Sequence, residues 1–183
     1  MPLTLLLSVM LFLTVPQTAV KPLIENDRVA VWDVPASTTA QPLDAVVVSL
    51  SGSAAFLPKG APPKITARSI VIDLKDHPVA PIANKSGYPL AFPRPGSKKL
   101  LENARVIVWD YAWTPGVATP MHFHDKDVVV VFLDEGDVQS TAQDGKVIVN
   151  SYTRGTVRFN LRDRIHTEIL VKGKQRAIIM ELK

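Results

Sequence analysis

The sequence predicts an all-β protein, a sandwich or barrel of short strands. Three observations carry this prediction. Val-rich and aromatic runs such as "ARVIVWDYAW", "VVVVFL", "KVIVNSY" and "TVRFNL" recur along the chain, each with the β-branched or aromatic composition of a strand. Turn-type clusters, "DEGD", "QDGK" and "TRG", punctuate them. Fifteen prolines against nine glycines in 183 residues suit Pro-stiffened loops, and little of the sequence reads as helix.

Taken in order, the chain opens on an apolar run over residues 3–15, uncharged and closed by Pro16. It is shorter than the roughly 20 residues of a bilayer span and has the length of a signal-peptide core. Residues 1–19 are therefore expected to be a signal peptide cleaved after Ala19, giving a secreted or periplasmic protein with no membrane contact after cleavage. Only the terminal amine supplies positive charge there, and Gln17 is large for the minus-three place, so an uncleaved anchor or a buried strand is the other reading.

Cysteine is absent, which excludes thiolate nucleophiles, iron–sulfur clusters and Cys-type zinc sites. The net charge of +4 comes from scattered basic residues, with no run of stacking aromatics beside them. No nucleic-acid partner is expected.

From residue 25 the chain repeats itself. "ENDRVAVWD" (25–33) returns as "ENARVIVWD" (102–110), "DAVVVSL" (44–50) as "DVVVVFL" (127–133), and "RSIVIDLK" (68–75) as "RAIIMELK" (176–183). The order is kept, so the chain reads as two versions of one unit. The first version is 31 residues shorter between its first and last echoes, Asp33 to Arg68 against Asp110 to Arg176. That is enough for several strands. It also has "TTAQPLD" where the second has "TPMHFHDKD". Residues 20–75 are expected to form a reduced sheet whose bare edges need cover, packed as a flank on residues 102–183, where any chemistry would lie.

Between them, residues 76–101 carry five prolines together with Tyr88 and Phe92. The prolines oppose regular helix or central strand, and the aromatics oppose a free tether. An ordered connector draped over the domain is expected, with His77 a surface or capping residue. In the second unit, Trp109, Tyr111 and Trp113 alternate and share one strand face. They either line an interior pocket or pack between the two units. Asp144-Gly145 signals a tight hairpin.

His122 and His124 stand two apart before an apolar run, so on a strand both rings point to one side. His166 follows 42 residues after His124, within reach of an antiparallel neighbour. Gly116, His122-Phe123-His124 and Gly136 have the spacing of a first cupin motif, and Gly155, Leu161, Asp163 and His166 that of the second. On these residues the chain resembles the cupin superfamily, as a bicupin with a reduced first half.

The resemblance implies a cupin-type β-barrel, or jelly roll, with a divalent metal held by His122, His124 and His166. The glutamate of the family's first motif falls at Val129, or at Val128 if one residue is dropped, and neither can bind metal. Leu161 and Asp163 stand where the second motif has proline and glycine, so that turn is expected to differ in shape. Three neutral imidazoles leave a divalent charge uncompensated, which favours an anionic or chelating ligand at open positions. Asp127 shares strand parity with Val129 and is a replacement ligand or, more simply, a solvated acid; Asp125 is read as surface. Ligand type does not separate Fe, Zn, Mn, Ni or Cu. The catalytic residues are unassigned. A metal-dependent, oxygenase-type enzyme on a small molecule is one reading. The other is a non-catalytic ligand-binding or structural cupin that has lost its metal. By analogy with cupins, which pair through sheet edges, a homodimer is expected.

Overall fold

The computed structural model describes residues 21–37, 41–62 and 65–183. The proposed signal peptide lies outside these residues. Among the described residues there is no helix, as the all-β prediction requires. Fourteen strands run in order. The first five are β1 (Ile24–Glu25), β2 (Val29–Val34), β3 (Ala45–Ser49), β4 (Ala54–Leu57) and β5 (Ser69–Leu74). Then come β6 (Lys98–Glu102), β7 (Val106–Trp113), β8 (His122–His124), β9 (Val128–Phe132) and β10 (Gly136–Ala142). The chain closes with β11 (Val147–Tyr152), β12 (Val157–Asn160), β13 (Arg164–Gly173) and β14 (Gln175–Leu182). β6 makes the tail of the Pro-rich connector a strand rather than a loop.

The strands from β6 onward form two sheets, ordered β12-β9-β14-β7-β6 and β11-β10-β13-β8. Counted as 1 to 8, β7 to β14 thus alternate between the sheets in the order 6-3-8-1 and 5-4-7-2, a jelly roll. A third sheet, β1-β2-β5-β3-β4, is built from the N-terminal residues.

The β12-β9-β14-β7-β6 sheet is the middle one, lying between the barrel interior and the N-terminal sheet. Its inner strands β9 and β14 are covered on both faces, which explains why they read as apolar runs rather than as alternating ones. In β9, Val128, Val130 and Phe132 face the barrel interior with Trp109, Ile179 and Leu170, while Val129 and Val131 face the N-terminal sheet with Val108, Ile178 and Met180. Val29, Val31, Val46, Ile70 and Ile72 meet them from the other side.

The N-terminal sheet matches the middle sheet strand by strand. Its order β2-β5-β3-β4 parallels β7-β14-β9-β12. Trp32 pairs with Val71 as Trp109 pairs with Ile179. Both indoles donate from Nε1 at 2.8 Å to a carboxylate, Trp32 to Asp73 and Trp109 to Glu181. The two sheets also exchange cations. Arg28 donates to Asp127 at 2.7 Å, and Arg105 to Asp44 at 3.2 Å. No counterpart of the β11-β10-β13-β8 sheet stands on the N-terminal side among the described residues.

Two backbone positions hold the barrel's turns. A Cβ on Gly136 would lie 2.8 Å from the Lys172 carbonyl oxygen, so only glycine lets β10 begin that close to β13. Asp163 takes φ 63°, a left-handed conformation that glycine adopts freely.

Candidate metal centre

β8 is three residues long, and all three are buried. It runs antiparallel to β13, pairing His122 with His166 and His124 with Arg164. Strand alternation then turns His122, His124 and His166 to one side, into the barrel. The connector braces β8 from behind: the Ala91 N–H donates to the Phe123 carbonyl at 2.8 Å, and the Phe123 N–H to Pro89 at 2.9 Å.

The three rings converge. His122 Nε2 lies 3.2 Å from His124 Nε2, which lies 3.0 Å from His166 Nε2. One nitrogen from each ring falls within 4.8 Å of the others, and each histidine is at least nine-tenths buried. A metal bound at about 2.0–2.1 Å from each nitrogen spaces its ligand nitrogens about 2.9–3.4 Å apart, from right-angle to tetrahedral geometry. The His122–His124 and His124–His166 separations fall in this range. Outer partners orient two of the rings. His122 Nδ1 is 2.8 Å from the Pro120 carbonyl, which can only accept, so Nδ1 carries the proton and Nε2 the lone pair. His166 Nδ1 is 2.8 Å from Ser140 Oγ.

Burial keeps these rings in their neutral, metal-binding form. It holds His166 down at about 4 and His124 well below the usual histidine range, and it lowers His122 as well. Nearby arginines push the same way, while Glu168 opposes them at His122 and His166.

The structure separates the remaining candidates. Val128 lines the cavity beside His124 and His166, whereas Val129 faces the N-terminal sheet. The inward place at this point of β9 is therefore Val128. Asp127 is neither a ligand nor solvated. It is buried, accepts from Arg28 at 2.7 Å, and its other oxygen accepts the Arg162 N–H at 2.8 Å. Its parity with Val129, correctly anticipated, aims it at the N-terminal sheet and away from the histidines. Asp125, expected at the surface, is buried and paired with Lys126 at 2.7 Å. His77 is exposed. Trp109, Tyr111 and Trp113 pack inside the barrel and not between the two units.

Two charged residues were missed. Arg94, from the connector, lies over the Tyr111 ring at 3.9 Å and reaches Glu168 at 3.4 Å and His122 Nε2 at 3.5 Å. Burial pushes the Glu168 carboxyl up, but Arg94, His166, His122 and Arg164 together outweigh it and leave it below the usual range. Glu168 was within reach of parity reasoning, since it sits two residues after His166 on the same strand face. Arg94 was not, because its place depends on the path of a loop.

No family model matches this chain, and no curated protein matches it. Among solved structures it is similar to a cupin domain from Bordetella pertussis Tohama I, at 26% identity and TM-score 0.45, over 51% of this chain and 99% of that one. It is also similar to a cupin 2 conserved barrel domain protein from Leptotrichia buccalis, at 13% identity and TM-score 0.48, over 93% of this chain and 92% of that one. An RmlC-like cupin family protein with a double-stranded β-helix fold from Methanocaldococcus jannaschii is 12% identical over 58% of this chain and 91% of that one, with TM-score 0.40.

Proposed function

We propose that residues 106–182, a jelly roll, form a cupin-type barrel that binds one divalent metal ion through Nε2 of His122, His124 and His166. The convergence of three buried, neutral imidazoles on one point carries this reading. Such an ion would supply Lewis-acid or oxygen chemistry at its open positions. The chain's own residues hold the rings: Pro120 and Ser140 orient two of them, and Val128, Val130 and Ile179 form an apolar wall of the same cavity. Arg94 and Glu168 place a charged pair beside the rings, in which the Glu168 carboxylate can accept a proton and the Arg94 guanidinium holds it in place.

A metal-dependent, oxygenase-type enzyme acting on a small molecule is the reading we favour. A second reading, a metal-free ligand-binding barrel, has support in Val128, which stands where a charge-compensating carboxylate would enter. Elemental analysis of the purified mature chain separates them. The metal reading expects a stoichiometry near one that collapses in His122→Ala and in His166→Ala, with oxygen uptake on adding a phenol or thiol. Metal without turnover favours a binder, and no metal in any preparation removes the enzyme.

We also propose that residues 20–75 are a reduced copy of the barrel unit, a reading supported by the shared strand order and by the reciprocal Arg28–Asp127 and Arg105–Asp44 pairs. That copy covers the outer face of the β7-β14-β9-β12 sheet, so a homodimer would pair through other surfaces. Export rests on the apolar leader, and N-terminal sequencing of the mature protein tests it: a chain starting near Val20 is expected, and retention of Met1 would refute cleavage.

A further inference from the structure

The barrel interior opens into a cavity of about 190 Å³, and its charged lining is one-sided. Three guanidinium groups, on Arg94, Arg158 and Arg164, face a single carboxylate, Glu168. Strand parity puts them there. Arg158 pairs with inward-facing Val130 across β12 and β9, and Arg164 precedes His166 by two on β13. Arg94 and Glu168 are already partners. Arg164 uses only Nε, donating to the Leu161 carbonyl at 2.8 Å, and both its Nη groups remain unbonded among the described residues. The Arg158 side chain, exposed to solvent while lining the cavity, makes no hydrogen bond or ion pair among the described residues, yet it stands close enough to Arg164 to oppose its charge.

Two buried, unpaired N–H groups add to the imbalance. Arg94 Nε and Trp113 Nε1 are buried without a hydrogen-bond partner, and both residues line the cavity. Buried donors are ordinarily satisfied, and like charges are ordinarily kept apart. A cavity rich in unpaired donors is built to meet acceptors. Asn150, Asn160 and Ser140 add neutral polar groups, and one wall is apolar and planar: Phe132 stacks on Tyr152 with ring centroids 3.7 Å apart, beside Val130 and Ile179. The volume falls below the roughly 300–1,000 Å³ of drug-sized pockets, so the guest is small.

We propose that this cavity binds an organic anion about one ring in size, its carboxylate held by Arg158 and Arg164 and its apolar body lying against Phe132 and Tyr152. This deepens the reading of the same barrel but stands on the arginines, and it holds whether or not a metal is bound. A bound divalent ion would add positive charge and strengthen the preference.

Benzoate is the probe, with benzamide as its neutral counterpart. Each is titrated into metal-stripped and metal-loaded full chain while tryptophan fluorescence is followed, and metal content is measured on the same samples. Benzoate is expected to bind both forms at least about tenfold more tightly than benzamide, the scale of one charge-assisted hydrogen bond. Its affinity should fall with added salt and drop about tenfold or more in Arg158→Gln with Arg164→Gln. Arg158→Gln alone, at a residue free of structural bonds, should weaken benzoate without touching thermal stability. Benzamide binding as tightly as benzoate, salt-independent benzoate binding, or unchanged affinity in these variants overturns the proposal. Absence of metal from every sample sinks the metal reading and leaves this one standing. Benzoate bound only by metal-loaded protein, indifferent to both arginines, does the reverse.

Discussion

Acidifying the metal-stripped protein should destabilise it, with His166 as a measurable contributor. Its folded imidazole titrates at about 4 against an ordinary value of 6.5, because burial disfavours the cation. Between those values the unfolded chain binds more protons than the folded one. The stabilisation is therefore present above the unfolded value and is lost as pH falls toward the folded one. Integrated from about pH 7 to about pH 5, this single group costs about 2 kcal/mol. For a chain of this size that lowers the melting temperature by about 4–8 °C. His122 and His124 are shifted in the same direction and add to the loss. Glu181 and Asp73, both raised by burial, act with the opposite sign, since stability from a buried neutral acid is lost as pH rises. Calorimetry on the parent chain and on His166→Gln at both pH values isolates the group, because shared contributions cancel in the difference. A His166→Gln chain that loses as much stability as the parent over this interval would refute the reasoning.

Other outcomes follow from the packing. Arg28→Ala leaves Asp127 buried without its cation and should cost about 3–5 kcal/mol in urea unfolding, whereas Arg105→Ala, whose Asp44 partner is half-exposed, should cost about 1 kcal/mol; equal costs would contradict the difference in burial. Gly136→Ala forces a methyl against the Lys172 carbonyl and should lower the urea midpoint by an amount worth about 1–3 kcal/mol, with an unchanged midpoint speaking against the close approach. Val128→Glu returns a carboxylate to the cavity wall, so metal should be retained more tightly in competition with a chelator, while the metal-free chain melts earlier because a buried acid is costly. If Val128→Glu holds metal no better than the parent, the inward placement of residue 128 is wrong.

The strands and the three histidines were legible because both depend on local periodicity. Alternation turns His122 and His124 to one side whatever surrounds them, and the "VVVVF" run of β9 is apolar throughout because sheets cover both its faces. The internal echoes were equally legible, since matching them needs only the order of residues. Asp127 shows where this reasoning stops. Its parity was read correctly, but parity does not say what lies on the far side of the sheet, and there the third sheet presents Arg28.

What the sequence determined by itself was therefore the class of fold, the strands and the direction in which the histidines point. Those are properties of a chain's nearest neighbours. The tertiary structure alone decided that Arg94 is brought from the Pro-rich connector onto Tyr111 and beside His122, that Asp127 is held in a buried ion pair, and that Arg158 and Arg164 line the cavity without a carboxylate partner of their own. Charge pairing acts between groups brought together from distant parts of the chain, and no local pattern records which groups those will be.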